Sequence, residues 1–239
     1  LWPLVRILAM VATAPLVGHR NVPARVKVGL AVLAAMLVAP TLPDSSAISP
    51  ASAIGLVALF QQILVGVALG FTLRVIFAAI ELAGEVIGAQ MGLNFAGFFD
   101  PQSATQGTPI GGWLGLIMML VFLAINGHLL MIQALVESFQ VVPIGPDGLH
   151  LGDWRRLASL GTELFRIGLY AALPVVAAML VCNLTLGVLA RVAPQLNLLA
   201  IGFSATIMVG VAILILTLPA MGTFLQISLE RGISMMLPR

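Results

Sequence analysis

Two acidic residues four positions apart, Glu81 and Glu85, form a carboxylate pair of the kind that acid–base chemistry could use. An active site would need further groups, but the three histidines, His19, His128 and His150, are far apart and lack the spacing of metal ligands. The sequence also contains no P-loop, no GxSxG motif and no cysteine–histidine pairing. We therefore expect neither an enzyme nor a bound metal or cofactor, and interpret the pair as a packing or solvated feature of a helix.

The composition is that of an integral membrane protein. Of the 239 residues, 60% are hydrophobic and only 8% are charged, whereas a soluble domain has about 25% charged residues. The formal net charge of +2 is too small to indicate a nucleic-acid partner. We predict an all-α membrane protein with a single domain over residues 1–239. Because the sequence begins inside an apolar segment, Leu-Trp-Pro-Leu, we also expect further residues upstream.

The apolar segments predict about six hydrophobic helices, since a membrane span needs about 20 apolar residues. A basic turn after the first segment, His19–Lys27, should face the cytoplasm. The other basic residues fall on both sides of a simple six-span arrangement, so an ordinary bundle is not indicated. The segment Asp153–Arg166 is amphipathic and predicts a short interfacial helix. The predicted apolar helices lie within Leu4–Gly18, Val28–Pro43, Ser45–Leu73, Trp113–Val136, Ile167–Ala190 and Val192–Leu229.

A narrow polar stripe extends the third of these helices. At 100° per residue, Arg74, Glu81, Glu85, Gly88 and Gly92 fall within roughly 60° of one another if the helix continues to Gly92. Ionisable groups at membrane depth normally face protein or water. The stripe therefore indicates either an aqueous path or a subunit contact. The alternative is that these residues lie at the membrane boundary and are simply solvated.

The regular pattern breaks within Glu81–Trp113. Glycines recur at every fourth position, at Gly84, Gly88 and Gly92, which allows helices to approach closely. Three phenylalanines and a polar loop bounded by prolines then follow, at Phe95, Phe98, Phe99, Asp100, Pro101 and Pro109. An irregular loop is costly in lipid because its backbone groups lack partners, but it is tolerated where it is buried in protein or lines a wet cavity. We interpret the loop as a pore or gate element held by close-packed helices; alternatively, it only packs against a partner.

Five motifs cover most of the chain in a fixed order. They are VPARVKVGLA at residues 22–31, GAQMGLNFAGFFDPQS at 88–103, NGHLLMIQALVESFQVVPIG at 126–145, NLTLGVLARVAPQLN at 183–197 and IGF at 201–203. With these motifs the sequence resembles the FliR family of flagellar export-gate proteins, which is related to the SctT proteins of virulence secretion systems. The motif at 126–145 resembles the flagellar form more than the virulence form.

The resemblance implies a fold, a function and partners. FliR-like proteins join FliP and FliQ subunits, as one copy per gate, in the export gate of the flagellar type III secretion system. That gate passes unfolded flagellar proteins across the bacterial inner membrane at the flagellar basal body, with FlhA and FlhB as neighbours. The family is built from helical hairpins, and much of the gate lies above the membrane plane, so apolar surface can face other subunits.

The resemblance also implies roles for individual residues. In the family a loop between the middle helices plugs the closed pore, and here it matches Phe95–Ile110. Sealing is thereby assigned to Phe95, Phe98 and Phe99. Hinge or turn roles are assigned to Gly97, Asp100, Pro101, Gly107 and Pro109. Two other classes stay open: a small-solute transporter with its site at the broken helix of residues 84–112, and a purely structural membrane scaffold. No internal repeat of the kind common in transporters is evident.

Overall fold

A computed structural model describes residues 1–18, 21–41, 49–95, 107–145, 151–192 and 198–236. The regular structure in these ranges is helical and comprises seven α-helices, so the prediction of an all-α membrane protein is confirmed. Short 3-10 helices follow the second and third, at Ala39–Thr41 and Leu93–Phe95. The α-helices are α1 (Trp2–Thr13), α2 (Ala24–Val38), α3 (Ala53–Gln90), α4 (Pro109–Ala124), α5 (Gly127–Val141), α6 (Leu151–Val192) and α7 (Leu198–Met236).

Three helices in the described ranges are long and apolar enough to cross a membrane: α3, the Ala158–Val192 part of α6 and the Gly202–Arg231 part of α7. The number becomes four if α4 and α5, which meet at a bend of 69°, form one broken span. The sequence predicted about six apolar helices because composition alone does not distinguish a span from a shorter apolar helix such as α1. The 38 residues of α3 extend roughly 57 Å, about twice the ~30 Å hydrocarbon core.

The structure differs from the sequence-based expectation at the start of α6. The segment Asp153–Arg166, expected as a separate interfacial helix, is the first part of α6, which continues without a break to Val192. A change from amphipathic to apolar composition does not end a helix. A residue that removes a backbone hydrogen bond can do so, but the first proline of this helix, Pro174, lies well inside it.

The helix α3 is continuous through the polar stripe, as predicted, and ends at Gln90. Its last turn is closed by backbone hydrogen bonds from the Met91 amide to the Ile87 carbonyl, at 3.0 Å, and from the Gly92 amide to the Ala89 carbonyl, at 3.1 Å. Gly92 has φ +81°, the left-handed conformation that glycine adopts without the steric penalty of a Cβ. Gly92 therefore lies in the turn that ends α3.

A second break separates α4 from α5, within the predicted apolar segment Trp113–Val136. Asn126 has φ 55° and is the residue before the first turn of α5. A Cβ at Gly127 would collide with the ring of Phe122, so only glycine fits at the start of α5. The bend is consequently specified by an Asn-Gly pair: Asn126 adopts the left-handed conformation that asparagine tolerates, and Gly127 leaves space for the Phe122 ring.

Contacts within the chain divide it into two units. The first contains Leu1–Phe77, Phe122–Thr162 and Leu229–Arg239, and therefore includes α1, α2, the first part of α3 and all of α5. The second contains Ala78–Val121 and Glu163–Ser228, and therefore includes the end of α3, most of α4 and the greater part of α6 and α7. That residues 1–239 form one functional domain stays a prediction.

A buried arginine joins three helices of the first unit. Arg6 of α1 has no exposed surface, and its Nε donates to Oε1 of Gln62 in α3 at 2.8 Å. Its Nη1 donates to the carbonyl and hydroxyl of Ser138, at 2.8 and 3.1 Å, and its Nη2 to the carbonyl of Val142, at 2.8 Å. The guanidinium lies 4.0 Å from the centroid of the Phe139 ring. These carbonyls lie at the C-terminal end of α5, where a positive charge is favourable. The Ser138 carbonyl also accepts a hydrogen bond of 2.9 Å from the Val142 amide.

Glycines in α3 allow α1 to lie directly against it. A Cβ at Gly66 would collide with the backbone oxygen of Arg6, and one at Gly70 would collide with Oγ1 of Thr13. The four-residue spacing places both glycines on the same face of α3. This close approach brings the Arg6 guanidinium within hydrogen-bonding distance of α3.

Replacing Arg6 with alanine should strongly destabilise the first unit. The substitution leaves the Gln62 side chain and the carbonyls at the end of α5 without their donor, and the loss of several hydrogen bonds from a charged group costs about 3 kcal/mol or more. Thermal unfolding of the purified protein in detergent measures this effect. Arg25→Ala, at an exposed arginine of α2, is the matched control and should change the melting temperature little. An unchanged melting temperature for Arg6→Ala would show that the buried network is dispensable.

Candidate functional site

The glycines that recur along α3 bring it into close contact with α4 in the second unit. A Cβ at Gly84 would lie 2.5 Å from the Cα of Gly111. One at Gly88 would lie 2.8 Å from both Cβ and Oγ1 of Thr108. Because residues that come later in α3 face residues that come earlier in α4, the two helices are antiparallel. They form a helical hairpin, as the family resemblance implies.

Glu85 and Thr108 connect α3 to the start of α4. Oε1 of Glu85 accepts a hydrogen bond of 2.7 Å from the backbone N–H of Thr108. Thr108, which is only 7% exposed, is the N-cap of α4: its Oγ1 accepts a bond of 3.1 Å from the Gly111 N–H and donates one of 3.3 Å to the Gly84 carbonyl. Such a cap satisfies an amide that has no intrahelical partner. The negative charge of Glu85 is also favourable near the N-terminus of a helix.

Three glycines on the α4 side leave the space that the carboxylates occupy. Gly107 has φ +79°, and a Cβ there would lie 2.6 Å from Oε1 of Glu85. A Cβ at Gly111 would collide with the same oxygen, and one at Gly115 would lie 3.2 Å from Oε1 of Glu81. A larger residue at Gly107 or Gly111 would therefore displace the Glu85 carboxylate from the start of α4.

Side chains of α6 and α7 hold the C-terminal end of α3, which lies at the same end of the hairpin as the start of α4. Nδ2 of Asn183 donates to the carbonyl of Gln90 at 3.5 Å, and Oγ1 of Thr206 donates to the carbonyl of Met91 at 3.2 Å. Gly210 makes room for the Met91 side chain, since a Cβ there would lie 2.5 Å from Cγ of Met91. The last carbonyls of a helix need partners from outside it, and α6 and α7 supply them here.

The structure describes only part of Phe95–Ile110, the segment that the family resemblance identifies as a plug. Residues 96–106 lie outside the described residues, and with them five residues that were assigned roles in the plug: Gly97, Phe98, Phe99, Asp100 and Pro101. Phe95 ends the 3-10 helix Leu93–Phe95, and its side chain also lies outside the described part. Pro109 is the first residue of α4, where its missing N–H leaves no hydrogen bond unmade. Gly107 and Pro109 therefore flank Thr108 at the point where the central segment returns to a helix.

The polar stripe divides between the two units. Arg74 is exposed and belongs to the first unit, whereas Glu81 is exposed and Glu85 partly buried in the second. The structure brings Glu85 and Gly88 together with the start of α4, and it places Gly92 in the turn after α3. Whether the stripe lines an aqueous path stays a prediction.

Three residues that define this site were not selected from the sequence: Thr108, Asn183 and Thr206. A signal existed for Thr108, because a threonine followed by proline and an apolar run is typical of a helix start. It would have placed the beginning of α4 at Pro109 and not at Trp113, where the apolar pattern becomes strong. Asn183 and Thr206 are isolated polar residues in apolar segments, and no local pattern indicates that they bind the end of α3.

The described residues contain no group of three or more His, Cys, Asp or Glu side chains placed to hold a metal ion. The contacts at this site are instead hydrogen bonds to helix ends and close approaches of backbone at glycines. Such a geometry positions helices and the segment between them.

Comparison with known proteins identifies the family. The model of bacterial export proteins, family 1, matches residues 1–232. The chain is 42% identical over 225 residues to the flagellar biosynthetic protein FliR of Escherichia coli K12, a match that covers 94% of the chain and 86% of that protein. The chain belongs to the FliR family. It is also 44% identical over 226 residues to FliR of Pectobacterium carotovorum, covering 94% of the chain and 86% of that protein. Identity to FliR of Bacillus subtilis is 33% over 214 residues, with 88% and 82% covered.

Membership in the FliR family makes the chain a membrane protein of the flagellar export apparatus. Its relatives in these three bacteria are named as flagellar biosynthetic proteins and not as enzymes. The match to the family model contains all of α3 and α4. The glycine contacts and the Glu85–Thr108 hydrogen bond therefore lie within the part of the chain that defines the family.

Replacing Gly84 with alanine should weaken the α3–α4 hairpin, because the new methyl group would meet backbone atoms of Gly111 that cannot rotate away. We expect a loss of about 1–3 kcal/mol in the free energy of unfolding, the usual cost of overpacking. Gly112→Ala is the matched control, since a Cβ at Gly112 has nothing within 4 Å. Both changes add the same intrinsic helix propensity, so the difference between their melting temperatures isolates the collision. Equal melting temperatures would contradict the close contact.

Proposed function

We propose that this FliR-family chain is a subunit of the flagellar type III protein export gate. With FliP and FliQ subunits it forms the conduit that carries unfolded flagellar proteins across the bacterial inner membrane. We expect one copy per gate, with FlhA and FlhB as neighbours in the basal body. In the closed state, the segment Phe95–Ile110 plugs the pore. Membership in the export-protein family supports the coarser part of this proposal, a place in the flagellar export apparatus.

The observation that carries the proposal is that both ends of the central segment are held within one unit. The chain leaves α3 where Asn183 and Thr206 bind its last carbonyls. It enters α4 where Glu85 binds the Thr108 amide. A segment between two fixed points can change its conformation while the flanking helices stay in place. That property suits a plug, which has to open and close repeatedly without dismantling the assembly.

The residue types of Phe95–Ile110 suit a segment that seals a pore. Phe95, Phe98 and Phe99 supply bulky apolar rings, and an apolar constriction prevents ion flow by excluding water. Gly97 imposes little steric restriction on the backbone because it has no Cβ. The positive φ of Gly107 gives the segment a turn at its C-terminal end. We assign sealing to the three rings and hinge or turn roles to Gly97, Asp100, Pro101, Gly107 and Pro109.

Exposed apolar surface supports an assembly with other membrane subunits. Along α6, exposed apolar side chains extend from Phe165 to Val192, and Leu184 among them is 71% exposed. This surface is roughly 40 Å long, whereas the hydrocarbon core of a bilayer is about 30 Å thick. On α7, Leu216 is 80% exposed. Partner subunits would cover the apolar surface that lies beyond the lipid.

Deleting residues 97–106 should make the closed gate leak ions while the complex still assembles. The deletion ends before Gly107 because Gly107 and Thr108 hold the start of α4. The complex with FliP and FliQ is purified, inserted into a planar bilayer and examined for conductance without export substrate. We expect a raised baseline conductance, since the apolar rings that keep the constriction dry are lost.

The matched comparison for the plug uses phenylalanine substitutions. The double substitution Phe98→Ala and Phe99→Ala should also raise the baseline conductance of the complex. Phe71→Ala combined with Phe165→Ala removes two exposed rings of the described helices and should leave it unchanged. An assembled deletion complex with a tight, wild-type baseline would overturn the proposed plug.

Isolation of the tagged chain in mild detergent tests the proposed partners. Native mass spectrometry should find FliP and FliQ subunits bound to one copy of this chain, because its exposed apolar helices require protein partners. Recovery of the chain alone, together with transport of a small solute by liposomes that contain only this protein, would instead support the transporter class.

A further inference from the structure

The outward face of α5 carries three polar side chains in one line. Gln133 and Gln140 are exposed and Glu137 is partly exposed, and steps of four and three residues place them on the same side of the helix. At 100° per residue, this side lies roughly 150° from the mean direction of the buried residues. Those buried residues are Gly127, Met131, Ala134, Leu135, Ser138 and Phe139. The three polar residues, the polar row, therefore lie on the side of α5 that the first unit leaves uncovered.

The Glu137 carboxylate is oriented by a neutral side chain of its own helix. Its Oε1 accepts a hydrogen bond of 2.8 Å from Nε2 of Gln133, one turn earlier. An amide donor of this kind positions the carboxylate but does not neutralise its negative charge. In the described part of the chain, no lysine, arginine or histidine forms an ion pair with Glu137. That part of the chain therefore supplies no counter-ion for this charge.

Lipid is a poor covering for the polar row. Taken together, α4 and α5 are long and apolar enough to form a broken membrane span, and amides and charges at membrane depth normally face protein or water. The helix α4 shows the contrast: it contains no charged residue, and its exposed side chains include Trp113, Leu116 and Leu120. Acyl chains can cover such a surface, whereas on α5 they would leave polar groups of the row without partners.

Water alone is also a poor covering, because apolar side chains border the polar row. Leu129, Ile132 and Val141 are 55%, 43% and 43% exposed. A helix packed against α5 would remove their apolar surface from water, which is favourable. The same helix would bring its own polar groups within hydrogen-bonding distance of the row. A polar row bordered by apolar side chains thus suits a protein helix better than lipid or water.

We propose that the polar row is a contact surface for a helix of another membrane subunit, and that this helix places a lysine or arginine against Glu137. A cation neutralises the charge that Gln133 only orients, and a hydrogen bond between charged groups is stronger than a neutral one. This inference rests on the proposed function of the chain as a subunit of a membrane assembly. It goes further by naming the face that binds and the chemistry of its partner.

Cysteine labelling shows what covers the polar row. Cys182 is the only cysteine of the chain and is replaced with serine, after which Gln133→Cys supplies a single thiol. The chain alone and its complex with FliP and FliQ are treated with a water-soluble maleimide in the same detergent, and labelling of this chain is measured by mass spectrometry. Labelling should fall by about tenfold or more on assembly, because a buried thiol is unreactive. Arg25→Cys, at an exposed residue of the basic turn, should be labelled equally in both samples.

Photo-crosslinking and a charge exchange identify the partner helix. p-Benzoylphenylalanine in place of Gln133 is irradiated in the purified complex, and the crosslinked peptides are sequenced by mass spectrometry. We expect attachment to a helix of another subunit that has a lysine or arginine within about one turn, or 3.6 residues, of the attachment point. Glu137→Lys should lower the ratio of intact complex to free chain, measured by native mass spectrometry, by about tenfold. Exchanging the partner's cation for glutamate should restore that ratio.

Glu163→Lys is the matched control for the charge exchange. Glu163 makes a 3.3 Å ion pair with Arg166 on the surface of α6, and such surface pairs contribute little. This substitution should therefore leave the ratio of intact complex to free chain unchanged.

Each measurement can overturn the inference. Equal maleimide labelling of position 133 with and without partners would show that water covers the polar row, and crosslinks to lipid alone would show that lipid does. A crosslinked helix without a nearby cation, an unchanged ratio for Glu137→Lys, or a defect that the exchanged partner charge does not restore would reject the ion pair. Labelling and crosslinking use chains that keep Glu137, so they decide even where Glu137→Lys does not fold.

Failure of the proposed function gives a different result. In that case the wild-type chain is recovered without FliP and FliQ, and the inference fails with the function on which it rests. Where the wild-type complex forms but position 133 stays labelled or binds only lipid, the proposed function stands and the contact surface alone is rejected.

Discussion

A helix that ends in apolar surroundings leaves backbone carbonyls or amides without partners, and each break in this chain has to satisfy them. Polar side chains from other helices do so at three breaks. Arg6 binds the carbonyls at the end of α5, Asn183 and Thr206 bind those at the end of α3, and Glu85 binds the amide of Thr108 before α4. Two of these four residues, Arg6 and Glu85, are charged side chains within apolar helices, and each binds the end of another helix.

Close helix approach is the second condition, because a side chain can bind a neighbouring helix end only from a short distance. Glycine provides that distance where Gly84 faces Gly111 and where Gly66 faces the backbone of Arg6. Lipid offers no hydrophobic force that drives helices together, so close packing and interhelical hydrogen bonds have to supply the association energy. The glycines and the polar residues therefore act together. The glycines let the helices pack closely, and the polar residues specify the register of the packed helices.

The sequence allowed those features to be predicted that depend on local pattern. Continuous apolar composition indicated membrane helices, and four-residue glycine spacing indicated close packing. Contacts between residues that are far apart in the sequence could not be predicted from it. The bond between Arg6 and Ser138 joins residues 132 positions apart, and nothing near Arg6 indicates its partner. The roles of Asn183 and Thr206 were hidden for the same reason, because a lone polar residue in an apolar segment has many possible partners.

The same energetics indicate where this chain can move. Separating α3 from α4 would expose backbone that is packed against backbone at Gly84 and would break the N-cap of Thr108 as well. Breaking the hydrogen bond between Glu85 and the Thr108 amide requires neither change, since this bond lies at the edge of the hairpin. One hydrogen bond to a charged group contributes about 1.5–3 kcal/mol, which is large enough to favour one state and small enough to be overcome by a binding partner. The contacts at Gly84 and Thr108 therefore keep α3 and α4 together while single hydrogen bonds at their ends break and form again.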